Sequence, residues 1–288
     1  MTSKDFKRHL RQQQAEAYER QQRAAAKEQR RAEKALARMQ QDTEDAAPPK
    51  IRGALHCACL IHSTGYDWTY VDRLYNMVSR NLNRDVIWHV YTEESRPVPQ
   101  HMTKHVLKEW PGQWGARRSW WYKLQLFNSQ YYQGPLLYFD LDTVIVGNLD
   151  WITQLPTKFL WAPRDYRYLW KPTHQGINSS VMWWDTTRFD WLWSDFDQTN
   201  LAQIMRHYNG DQDYISAKIP PNSLRTFLPM AAMSWRWQIK DGGMNFKTRQ
   251  YQSPGSGSHV DHRTSILVFH GSPKPHEVED PVIRNFWQ

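Results

Sequence analysis

From about Ile51 onward the chain alternates short apolar runs with segments of helical period, and this alternation restricts the fold more than any other feature. GALHCACLIH, residues 53–62, reads as a buried first strand. YDWTYVDRLYNMVSRNL follows, with Val71, Leu74, Tyr75, Val78 and Leu82 on one helical face. DVIWHVYTEE is a second strand, RRSWWYKLQLFNSQYY (117–132) a second helix, and PLLYFD (135–140) the next strand. KFLWAP, INSSVMWWD and SILVFH add further strands. This order predicts an α/β domain with a largely parallel central sheet, in which ligands sit at the carboxyl ends of strands.

Residues 1–50 differ. RQQQAEAYERQQRAAAKEQRRAEKALARMQQ holds strong helix formers and no Gly or Pro, and its large apolar residues are too sparse for a heptad seam. Pro48–Pro49 ends it. The reading is therefore a charged helical extension and linker over 1–50, open to a partner or nucleic acid, and one domain over 51–288. The net charge is +8, half of it in the first fifty residues, so the domain is only mildly basic. The absence of a secretory leader or a long apolar run, with only Cys57 and Cys59 as cysteines, predicts a cytoplasmic protein with no transmembrane segment.

The apolar run ending in YFDLD places Asp140 and Asp142 two residues apart at a strand end, on one side of the chain. Two such carboxylates repel unless a positive charge lies between them, whether lysine, arginine or metal. Taken alone, D-x-D is also ordinary turn chemistry. In VFHGSPKPHE a strand ends at His270, Gly271 permits a tight turn, and Lys274 is a candidate point charge for phosphate. Asn178 and two serines precede VMWWD, and in NGDQD Asp211 reads as a helix cap with Asp213 complementing the dipole. Residues 249–265 form a Gly/Ser/Pro-rich loop.

In this order Y-F-D-L-D, I-N-S-S-V-M, G-D-Q-D and H-G-S-x-K-P resemble the GT-A fold glycosyltransferases of family 8, over residues 54–278. The resemblance implies a Rossmann-like nucleotide-diphospho-sugar transferase fold and a metal site of Asp140, Asp142 and His270 holding Mn²⁺, with Mg²⁺ as the alternative. Lys274 and Gly271 would contact the diphosphate of the donor, a UDP-sugar by default. The loop His62–Tyr66, with Thr64, would cradle base and ribose. Asn178 would hold the donor sugar with Lys123 and Asp140, Lys123 standing where many members have Arg. Asp211 would bond the transferred sugar, and Gln212 would lie near the anomeric carbon. Members retain anomeric configuration by front-face attack, the leaving phosphate taking the acceptor's proton.

The acceptor is left open by the sequence: a glycan, a protein, or DNA carrying modified bases, as in phage-type DNA glycosyltransferases. A catalytically silent nucleotide-sugar-binding protein is a second alternative; a metal-dependent hydrolase lacks a general base beside the acids. Of the sixteen tryptophans, Trp120, Trp121, Trp183 and Trp184 read as core. Trp110, Trp114 and Trp170 read as loop aromatics suited to stacking on sugars or bases, with Arg117 and Arg118 beside Trp114.

Overall fold

A computed structural model describes residues 53–63, 65–110, 116–198 and 201–288. The expected helical extension over 1–50, Thr64, Trp114 and the side chains of Arg117 and Arg118 lie outside the described residues.

The first half contains β1 (Leu55–Leu60), α1 (Trp68–Arg80), β2 (Val86–Thr92), β3 (Met102–Val106), a 3₁₀ helix (Ala116–Phe127), β4 (Pro135–Phe139) and β5 (Thr143–Ile145). There follow β6 (Leu160–Ala162), β7 (Val181–Asp185), α2 (Thr186–Gln198), α3 (Leu201–His207), α4 (Asp211–Lys218), β8 (Leu224–Thr226) and β9 (Ala232–Ser234). The two-residue strands β10 (Met244–Asn245) and β11 (Gln250–Tyr251), then β12 (Ile266–Val268) and α5 (Pro281–Phe286), complete the chain.

The main sheet runs β3-β2-β1-β4-β7-β6-β8, and β7 alone runs against its neighbours. Reversal of β7 brings the residues before it to the edge reached by the residues after β4: Asp140 N–H donates to the Ser180 carbonyl at 2.7 Å. A smaller sheet, β5-β12-β9, carries the chain from Asp142 and the chain into His270.

Alternation along the central strands supplies two cores. Cys57, Cys59, Leu137, Phe139 and Trp183 face α1 residues Val71, Leu74 and Met77. Ala58, Leu136, Tyr138 and Trp184 face Leu124, Phe127, Leu192 and Phe196 on the other side. A strand's period of two produces this division directly.

Two expectations about elements are corrected. The helix over 117–132 is a 3₁₀ helix ending at Phe127. Residues 121–127 are all buried, so the segment is enclosed rather than one-faced, and Gln125 clamps the Lys108 backbone from both amide atoms at 2.7 and 2.8 Å. The 249–265 loop begins with β11, paired antiparallel to β10.

Candidate active site

At the ends of β1 and β4 a cavity of about 270 Å³ is lined by His62, Tyr66, Trp120, Lys123, Tyr138, Asp140 and Asp142. Each of the two acids has a lysine of its own, Lys123 at Asp140 and Lys274 at Asp142. Lys123 lies 2.8 Å from Asp140 and 3.3 Å from Asp211, and its Nζ donates to Ser179 Oγ at 3.1 Å. Burial alone would lower the Lys123 pKa, but the Asp140 and Asp211 carboxylates more than reverse it and keep the ammonium charged. Lys274 Nζ donates to Asp142 Oδ2 at 2.5 Å, and the Tyr66 hydroxyl donates to the same oxygen at 2.9 Å. Burial raises the Asp142 pKa and the Asp140 charge adds to this, with Lys274 opposing. Tyr138 OH completes the Asp140 environment at 2.6 Å.

Asp211 occupies the first turn of α4, and Gly210, not Asp211, is the helix cap. The aspartate instead accepts a 2.6 Å bond from Ser179 Oγ, because its side chain turns inward to the buried lysine. Gln212 and Asn178 face each other at 3.4 Å, and Gln212 Nε2 donates to Asp165 Oδ2 at 3.1 Å. Asp165 also binds the Arg167 guanidinium and lies 3.1 Å from His174 Nε2. Burial would raise its pKa, but bonds from Arg167 and His174 hold it below the usual carboxylate range. Arg167 spans Asp165 and Asp213. This network escaped the sequence reading; RDYR, a charged cluster directly after the KFLWAP strand, was the available signal.

His270 sits apart from both acids' hydrogen-bond shells. Its Nε2 meets Ser234 Oγ at 2.6 Å, and its ring packs against Trp237 and Tyr166 at centroid distances of 3.9 and 5.7 Å. Burial, then the charges of Arg236 and Lys274, lower its pKa to about 4, so the imidazole is neutral at pH 7. Gly271 follows at φ +71°, the left-handed region the sharp turn requires. His62 stacks on Tyr122 at 4.0 Å and meets Glu109 at 3.0 Å.

Among the described residues no group of three or more His, Cys, Asp or Glu is arranged to hold a metal ion. The donor types nevertheless suit a divalent cation: two carboxylates at one strand end and a neutral imidazole. Occupation would require Lys274 to release Asp142. Two tryptophan expectations are corrected. Trp110 is buried against Tyr122 and Trp193, and Trp120 is 43% exposed at the cavity wall. Trp121, Trp183 and Trp184 are buried as expected, and Trp170 is 44% exposed.

A mostly parallel sheet with one reversed strand, and acids at the end of β4, define the class: this is the GT-A glycosyltransferase fold. An active-site mutant of LgtC superposes with TM-score 0.52 at 10% identity, covering 79% of this chain and 91% of that one. The galactosyltransferase LgtC in complex with donor and acceptor sugar analogs gives 0.51 at 10% identity, covering 81% and 96%. The glycosyltransferase GlyE of Streptococcus pneumoniae gives 0.52 at 12% identity, covering 82% of this chain and 60% of its own. No protein-family model and no curated protein matches the sequence. No helix among the described residues is long and apolar enough to cross a membrane.

Proposed function

We propose that the protein is a retaining, metal-dependent glycosyltransferase that moves a sugar from a nucleotide-diphosphate donor, a UDP-sugar by default, to an acceptor hydroxyl. The observation that carries the reading is the buried lysine–carboxylate cluster of Lys123, Asp140 and Asp211, beside the Asp142–Lys274 pair, at the strand ends of a GT-A fold. Asp140, Asp142 and His270 would hold Mn²⁺ or Mg²⁺, which supplies charge neutralisation for the departing diphosphate.

The chain's own residues do the rest. Lys274, once released from Asp142, is free to meet a phosphate oxygen, and Gly271 leaves backbone space beside it. Tyr66 and His62 line the cavity where base and ribose would enter. Asn178 and Gln212 offer amide groups to sugar hydroxyls; Gln212 is uncharged and tied to Asp165, which suits positioning rather than covalent attack. Asp211, fixed by Ser179 and Lys123, presents a carboxylate to a sugar hydroxyl without moving.

The test is a screen of nucleotide-sugars with and without Mn²⁺, read by thermal shift and slow donor hydrolysis. Stabilisation by at least one nucleotide-sugar, lost with EDTA and in Asp142→Ala, supports the reading. If no nucleotide-sugar binds, or if EDTA and Asp142→Ala leave binding unchanged, it fails. Retention is checked by NMR of the product's anomeric proton, and an inverted linkage would overturn that part alone.

A further inference from the structure

Beside the candidate site lies a surface to which no part of the donor has been assigned. The helical turn Trp235–Ile239 and the β10–β11 turn bring Trp237 and Phe246 against Trp170. Ring centroids are 4.6 Å apart for Trp170–Trp237, 5.0 Å for Trp170–Phe246 and 6.0 Å for Trp237–Phe246. Trp170 is 44% exposed, so the cluster presents an open aromatic face. Trp237 also packs on His270, which makes the cluster continuous with the site.

Each of these aromatics has an exposed cation beside it in the chain: Lys171 after Trp170, Arg236 before Trp237 and Lys247 after Phe246. Arg249 follows two residues on, also exposed. Among the described residues none of the four forms an ion pair. Residues 163–175 and 225–251 together contain eight Lys/Arg and two Asp/Glu, a net +6. Residues 51–288 as a whole carry only +4, so the rest of the domain is net acidic. Within these segments Arg225 stacks on Phe159 and Arg167 pairs with Asp165 and Asp213, so the cations next to the cluster in the chain are Lys171, Arg236, Lys247 and Arg249.

We propose that this surface binds a single nucleic-acid strand, bases stacking on Trp170 and its neighbours while Lys171, Arg236, Lys247 and Arg249 meet phosphates. A neutral glycan would use the aromatic faces but leave four exposed cations without ion-pair partners unexplained. A polyanion without bases would use the cations but not the exposed aromatic face. A duplex hides its base faces within its own stack. Of these, only an unpaired strand offers planar rings and phosphates together. Binding does not depend on the glycosyltransferase reading; the further step, that the strand is the acceptor, rests on it.

The experiment titrates the full chain into a fluorescein-labelled single-stranded oligonucleotide of mixed sequence, read by anisotropy over a salt series. The matching duplex and polyphosphate serve as competitors. The strand should bind more tightly than either, and Trp170→Ala should weaken it about tenfold or more. Lys171→Gln with Lys247→Gln should lower the salt slope by about 0.7 for each cation removed. These surface changes keep the test alive if Trp170→Ala folds poorly. No binding, indifference to both variants, or polyphosphate binding as tightly as the strand overturns the proposal. Nucleotide-sugar thermal shifts run in parallel separate the two readings. Donor binding without strand binding sinks the surface alone, and strand binding without any donor sinks the glycosyltransferase alone.

Discussion

Lys123 is 6% exposed and is the only ammonium bonded to Asp140 and Asp211 among the described residues. Its removal would leave two carboxylates facing each other, Asp211 buried and Asp140 partly open to the cavity, a change that costs up to about 3–5 kcal/mol, the figure for breaking a fully buried pair. Lys123→Met should therefore lower the urea midpoint sharply at pH 7.5. A midpoint unchanged from the parent would mean that the lysine's charge does not hold the two carboxylates in place. Gly271 gives the opposite kind of residue effect. A Cβ there meets only an Arg236 nitrogen at 3.9 Å, ordinary contact, so Gly271→Ala should cost only the left-handed backbone, about 1–2 kcal/mol. Thermal melting should show a loss of several degrees, and an unchanged melting temperature would contradict the positive φ.

At the scale of elements, β1, β2 and β3 carry a row of imidazoles on one face. His56 Nδ1 meets His89 Nε2 at 2.8 Å, and His89 Nδ1 meets His105 Nε2 at 2.7 Å. Burial pushes His89 down to about 3 and His105 to about 4. Above pH 6.5 folded and unfolded chains are both neutral at these positions. Below it the unfolded chain takes up protons that the folded one refuses, so stability falls from pH 6.5 towards pH 4. The slope is about 1.4 kcal/mol per pH unit for each histidine. His89→Gln should flatten urea-derived stability over that window relative to the parent; an equal slope in both would refute neutral burial. The strands themselves show what a sequence reveals. β1, β2, β4 and β7 were legible because each is an apolar run with a clear end. β5 and β9 have three residues each, too few for a period, and exist by pairing with β12. Likewise D-x-D was visible as a local pair, whereas Lys123 entered through the resemblance alone. In the Asp165–Arg167–Gln212 network RDYR announces the local pair, but Gln212 joins it from α4, 47 residues on from Asp165, and no local pattern announces that meeting.

Over the whole molecule, both the cores and the site join distant parts of the chain: the core on the α1 face draws on residues from Leu55 to Trp287. Asp142 and Lys274 are 132 residues apart, and β12 reaches back to β5 to bring them together. Closing so long a loop is entropically unfavourable until the sheet already holds both ends near each other. On refolding from urea, far-UV ellipticity should therefore recover before nucleotide-sugar binding does, as followed by stopped-flow and by a fluorescent donor. Simultaneous recovery would argue against this order. The pairing of β12 with β5 thus acts in time as well as in space: a chain with its main sheet formed but that pairing unmade has not yet brought Lys274, the residue proposed to meet phosphate, to the end of β4. Partly folded molecules are then inert rather than misdirected, and competence arrives only when the distant end of the domain comes home.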